Sequence, residues 1–238
     1  MLIDTIYSPS QNQRIRVEAD DFPKSPREWD NLGVMACWHS RYILGDEQPG
    51  EDSLEYMLEL VEEYEQGLLD KIDATIDKRF SYATVESRAE AHRYYKERVK
   101  AAFDRHFISL PLYLYDHSGI TMSTRPFSCP WDSGQVGLIY ISKPEVRKTY
   151  GFQRLTTQRI VWIQSLLAAE VEVYDQYLRG DICGFILESR DAFGNWSEDD
   201  ACWGFFGSDL TKNGILDHLD KPVRDWVVQS LIDQKAAA

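Results

Sequence analysis

Apolar residues recur along this chain with two periods, and the switches between them divide it into elements. Residues 12–20, NQRIRVEAD, alternate Ile15 and Val17 with charged neighbours, the period-two signature of a half-buried strand. A loop carrying Pro23, Pro26 and Gly33 follows. Residues 34–44, VMACWHSRYIL, form a short apolar run suited to a buried strand or a single helical turn. From 51 to 79 the period lengthens. Leu54, Leu58, Val61, Leu68, Ile72 and Ile76 stand at near-helical spacing and predict a helix, with Gly67 as a bend or break. A second helix is predicted over 84–107, with Thr84 as its N-cap.

Period two returns at 108–119, ISLPLYLYDHSG, where Leu110, Leu112 and Leu114 share one face and Tyr113 and Tyr115 the other. ITMST reads as a short return strand, which places Asp116 to Gly119 at a hairpin tip. GQVGLIYISK is a third strand, and PEVRKTYG opens a short helix with Pro144 in its first turn and Gly151 as terminator. A long amphipathic helix is predicted over 156–179, stopped by Gly180. DICGFILES and DACWGFFGS then read as a hairpin turning at Gly194-Asn195, and a last helix is interrupted at Pro222. The order is not a regular alternation of strand and helix. It predicts an α+β fold around a mainly antiparallel sheet packed with helices. Residues 1–50 and 108–235 would form the core domain, with 51–107 inserted as a helical hairpin lobe, and 236–238 read as an expression-vector scar.

Charge sharpens the hairpin. The segment 51–79 is acidic on its polar face, through Glu51, Asp52, Glu55, Glu59, Glu62, Glu63, Asp70, Asp73 and Asp77, whereas 84–107 is mostly basic. Packed antiparallel, the two would partly neutralise each other. The alternative is that the nine carboxylates form a binding surface that imitates the phosphates of nucleic acid. The whole chain of 238 residues carries a net charge of −13, which argues against nucleic acid and against a membrane surface as default partners and leaves acidity that serves solubility alone, steers basic partners or imitates the phosphates of nucleic acid, the partner expected being a host protein. No apolar run is long enough to span a bilayer, and the N-terminal residues lack the basic-then-apolar order of an export signal. The expected compartment is the cytoplasm, with Cys37, Cys129, Cys183 and Cys202 as reduced, mostly buried thiols.

The contiguous signatures of nucleotide binding, serine hydrolysis, zinc proteolysis and deamination are missing. What remains is scattered. Cys37 and His39 are two apart and would share a strand face; Asp116 and His117 sit at the hairpin tip; Cys129 and Asp132 lie in the following loop. If 34–44 folds onto 115–134, these six become a Cys-His-Asp nucleophilic site for a small hydrolase of nucleotide-like ligands. Cys37, His39, His117 and Cys129 are also the ligand types zinc takes, although their spacing matches no finger or ribbon, and the expectation is that no cofactor is bound. The bland account competes with both. Asp116 and Asp132 each precede turn residues and suit turn chemistry, and Trp38 and Trp131 would be core.

Four blocks carry a resemblance: DNLGVMACWHSRYILGD (30–46), PLYLYDHSGITMSTRPFSCPWDSGQVGLIYISKPEVRKTYG (111–151), EVEVYDQYLRGDICGF (170–185) and DDACWGFFG (199–207). They resemble a family of accessory proteins carried by bacteriophages, plasmids and integrated elements. Ser40 departs from the basic residue expected there. The family supplies no activity or catalytic residue to carry over. The resemblance implies a setting, in which small acidic proteins of mobile elements often inhibit host restriction or CRISPR machinery by binding a host protein.

Overall fold

The structure, a computed structural model, describes residues 1–237. It is α+β. Among the described residues there are seven α-helices and eight strands, and the strands form two four-stranded antiparallel sheets where the sequence pattern suggested one. The described chain gathers into two compact units, one of residues 30–117 and 122–171, the other of residues 1–29, 118–121 and 172–237.

The unit of residues 30–117 and 122–171 contains β3 (Val34–Cys37), α1 (Ser53–Glu62), α2 (Leu68–Arg79), α3 (Val85–His106), β4 (Phe107–Asp116), β6 (Ser133–Ser142) and α4 (Lys143–Tyr150). Its sheet runs β3-β6-β4-β5, with β5 spanning Ile120–Ser123. Register puts Met35, Ile139 and Leu110 side by side on one face, and Ala36, Leu138 and Pro111 on the other. The second face packs against α1–α3: Ala36, Leu138 and Tyr140 form one core with Leu58, Val61, Leu68, Ile72, Ile76, Val99 and Phe103. Burial of these side chains, each about 1.5–3 kcal/mol for a full-sized apolar group, ties the helices to the sheet.

The predicted helix 51–79 is two helices. Gly67 takes a left-handed backbone, φ 69°, that a side-chain-bearing residue adopts at a cost. The Glu62 carboxylate then accepts from the amides of Gly67, Leu68 and Leu69, at 2.9, 3.1 and 3.3 Å, so an acid at the end of α1 satisfies the open N-terminus of α2. Thr84 caps α3 as its position suggests, accepting from Ser87 N at 3.1 Å.

β3 ends at Cys37, short of the predicted run, because the chain turns back along it. Cys37 N donates to Glu47 O at 2.9 Å and Met35 N to the Asp46 carboxylate at 2.7 Å, so residues 44–47 cover the edge that β3 would leave open. Close approach is bought by Gly137 on β6, where an added Cβ would lie 2.3 Å from the Ala36 carbonyl oxygen.

The other unit holds β1 (Leu2–Tyr7), β2 (Gln13–Ala19), β7 (Ile182–Arg190), β8 (Trp196–Phe206), α6 (Ile215–His218) and α7 (Lys221–Ala237). Its sheet order is β1-β2-β7-β8. Ile6, Ile15, Val17, Phe185 and Phe205 bury against Ile215, Leu219, Val223 and Val227. β1, LIDTIY, shows no clear alternation in sequence; its inward Ile6 is revealed by pairing with Ile15. The last predicted helix is broken as expected near Pro222, into α6 and α7, and Pro222 itself lies in the first turn of α7. The long α5 (Thr157–Leu178) passes from one unit's residues into the other's at position 171.

Candidate functional site

The chain just past β3 runs beside β6, and the end of β4 beside the loop entering β6. Trp38 N donates to Val136 O at 2.6 Å, and Asp116 N to Asp132 O at 2.8 Å. Together they frame an open cleft of about 300 Å3, lined by His39, Arg41, Asp116, Trp131, Asp132 and their neighbours.

His39 lies beyond the end of β3, not on it. Its Nδ1 accepts from the amides of Arg41 and Tyr42, both at 3.2 Å, and its ring stacks on Tyr42 with centroids 5.0 Å apart. An Nδ1 that accepts leaves the proton of the neutral ring on Nε2. Arg41 forms an ion pair with Asp116, and Tyr42 donates to the same carboxylate at 3.4 Å. Asp116 is mostly covered while Arg41 is two-thirds exposed, so the guanidinium closes over the acid and keeps one side toward water.

The second group is Cys129, Asp132 and His117. Asp132 stands between the other two, accepting from the Cys129 thiol at 3.6 Å and lying 3.4 Å from His117 Nδ1. A nucleophilic cysteine site needs the imidazole between thiol and carboxylate, so that nitrogen takes the thiol proton and the acid orients the ring. Here the carboxylate occupies the middle. Ser133 donates to the Cys129 carbonyl oxygen, which closes the same loop as a turn.

Cys37 does not join either group. It is 1% exposed, and its sulfur sits 3.1 and 3.2 Å from where Cβ atoms on Gly137 and Gly45 would lie. The premise that Cys37 and His39 share a strand face is corrected by the strand's end at Cys37. The zinc set of Cys37, His39, His117 and Cys129 is therefore not assembled, and among the described residues no group of three or more His, Cys, Asp or Glu is arranged to hold a metal. Trp38, expected in the core, is half-buried and packs against it, its indole donating to Glu51 O at 2.7 Å. Trp131 is not core: it is 92% exposed at the rim of the cleft. Nothing local in the sequence separates the two tryptophans, and Arg41 and Tyr42, which directly follow the CWHS run, carry no motif that marks them.

The acidic residues divide by role. Asp52 caps α1, accepting from Leu54 N and Glu55 N at 2.7 and 3.1 Å, and Glu62 caps α2. Glu51 is half-buried and accepts the Trp38 indole through its carbonyl oxygen. Glu55, Glu59, Glu63, Asp70, Asp73 and Asp77 are exposed. Among the described residues, the expected neutralisation by α3 is made in its last turn, where the two Glu65 carboxylate oxygens receive Arg105 Nη2 at 2.8 Å and Nε at 2.9 Å, and His106 Nε2 lies 2.8 Å away. Arg105 first and His106 after it hold the Glu65 carboxyl down at about 2.

Beneath the helices lies a buried polar chain. Tyr56 donates to the Glu47 carboxylate and its oxygen is left to accept from Tyr140, 2.6 Å away. Burial, and then the bonds to Glu47 and Tyr140, push the Tyr56 hydroxyl far above the phenol range. No family model, curated protein or solved structure matches this chain, so the resemblance to mobile-element proteins rests on the four sequence blocks alone.

Proposed function

We propose that this is a binding protein, an accessory of a bacteriophage or mobile element that inhibits a host defence complex of the restriction or CRISPR type. It would do so by presenting the acidic face of α1 and α2 to a surface that otherwise takes nucleic acid. The observation that carries the reading is that Glu55, Glu59, Glu63, Asp70, Asp73 and Asp77 stay exposed, with the ion pairing to α3 made at Glu65 and not along the row. Glu55, Glu59 and Glu63 recur every fourth residue, which sets carboxylates about 6 Å apart along a helix axis. A rank of like charges held on rigid helices, on a chain of net charge −13, suits a basic partner surface.

The test is competition. Purified restriction and CRISPR effectors are incubated with the protein and assayed for DNA binding and cleavage, in low and in physiological salt. The reading expects inhibition of one effector class, weakened by salt and abolished by the combined Glu55→Lys, Glu59→Lys, Asp70→Lys and Asp73→Lys variant. Inhibition untouched by that variant, or none with any effector, refutes it. A second reading, a small hydrolase of nucleotide-like ligands, keeps one support: His39, Arg41, Asp116 and Asp132 share a cleft. It predicts turnover lost in Asp116→Asn, a substitution the binding reading expects to leave inhibition intact.

A further inference from the structure

The acidity of the chain is not uniform. Acids make up 39 of its 238 residues, yet residues 146–169 contain none, while Arg147, Lys148, Arg154 and Arg159 fall inside them. With four cations and no anion, this tract is locally +4 in a protein of −13. It covers the last five residues of α4, the corner after it and the first half of α5, all within one compact unit.

Three aromatic residues are folded into the same corner. α4 ends at Gly151, whose left-handed φ of 65° turns the chain, and Tyr150 and Phe152 on either side stack with centroids 5.6 Å apart. Trp162, one turn into α5, meets Tyr150 edge-on at 4.9 Å and Phe152 at 6.1 Å. Arg159 lies over the Phe152 ring at 4.2 Å and is pinned by a 2.6 Å bond from its guanidinium to Arg154 O. Trp162 remains 42% exposed, and Arg147 and Lys148 on α4 and Arg154 in the corner are exposed as well. Lys148 meets Glu145, the acid just outside the tract, at 3.3 Å.

We propose that this cationic-aromatic corner, formed by Arg147, Lys148, Tyr150, Arg154, Arg159 and Trp162, binds a short stretch of single-stranded nucleic acid. The cations supply phosphate contacts, and the partly exposed indole supplies a face on which an unpaired base stacks. The aromatic component selects among anions. An acidic peptide finds nothing in π faces that are themselves negative, and a duplex keeps its bases stacked inside and offers only phosphates. The overall negative charge does not oppose local binding strongly, because charges beyond about 10 Å are largely screened at about 0.1 M ionic strength, the lowest salt of the test below. The inference uses a different surface from the acidic face of α1 and α2 and stands independently of the function proposed above.

The experiment is fluorescence anisotropy of the full chain with a labelled oligothymidylate of about 12 nucleotides, within the span of known single-strand sites. Binding is expected at low salt, about 0.1 M, with log affinity falling against log salt at a slope of about −3 for four phosphate contacts. Trp162→Ala is expected to weaken binding about tenfold or more while leaving that slope unchanged. The Arg147→Glu, Arg154→Glu double variant is expected to abolish binding; both side chains are exposed, and an unchanged melting curve establishes that the variant is folded. No binding at low salt, full binding by the folded double variant, or a duplex of the same length bound as tightly each overturns the proposal. So does salt-sensitive self-association that the double variant removes without any oligonucleotide binding, which would assign the corner to the acidic face of a second copy.

Discussion

Replacing Glu65 by Gln tests whether the acidic segment and α3 are joined by charge or only by packing. The carboxylate holds Arg105 at two points and His106 at a third, and its folded value is about 2 against 4.5 for an unperturbed glutamate. Without screening, that difference sets a ceiling of about 3 kcal/mol. Glu65 is a quarter exposed and Arg105 nearly half, so solvent reduces the contribution to about 1 kcal/mol. The sign follows from the depressed carboxyl. Its contribution is complete above about pH 4.5 and is lost as pH falls from there toward 2. Urea unfolding of wild type and Glu65→Gln is therefore expected to differ by about 1 kcal/mol at neutral pH, with the gap closing below about pH 4. Near neutrality that gap corresponds to about 2–4 °C in Tm for a chain of this size. Equal stability at neutral pH, or a gap that does not shrink in acid, refutes the assignment of this contact as an ion pair with net value.

Other substitutions probe the elements that place the cleft. Gly137→Ala puts a Cβ 2.3 Å from the Ala36 carbonyl oxygen and is expected to cost about 1–3 kcal/mol in urea unfolding, because β3 must move away from β6. Trp131→Ala is expected to leave stability within about 0.5 kcal/mol, whereas Trp38→Ala removes a half-buried ring and its bond to Glu51 O and is expected to cost about 3 kcal/mol; paired thermal melts compare them. Tyr56→Phe deprives the Glu47 carboxylate of its donor and Tyr140 of its acceptor, and an equilibrium unfolding cost of about 1–3 kcal/mol is expected.

Much of the secondary structure was legible because local rules and tertiary packing agreed. The caps at Thr84 and Gly151, the alternation of β4 and the stripe on α1–α2 needed no knowledge of partners. The misses share a cause. β1 is recognisable only through β2, and the length of β3 depends on residues 44–47 returning along its edge. The strands fall into two sheets because β2 pairs with β7 across more than 160 residues, a choice no local window contains. For the candidate site, residue type was visible but sidedness was not. Cys37 and His39, two positions apart, end in different surroundings because the strand stops between them. Trp38 and Trp131 look alike in sequence, yet Trp38 finds the Glu51 carbonyl, just before α1, to accept its indole N–H, while Trp131 is left at the surface.

By itself, the sequence determined the fold class, the positions of most helices, the segregation of charge into an acidic and a basic pair of segments, and the tract of 24 residues without an acid. Those are properties of spacing and composition, read over windows shorter than an element. Only the tertiary structure decided which carboxylates cap helices and which face solvent, that Asp132 stands between Cys129 and His117, and that Tyr150, Phe152 and Trp162 close into one corner. Each of these is a contact between residues whose spacing in sequence does not fix their separation in space, and its geometry depends on turns and strand ends a few residues wide.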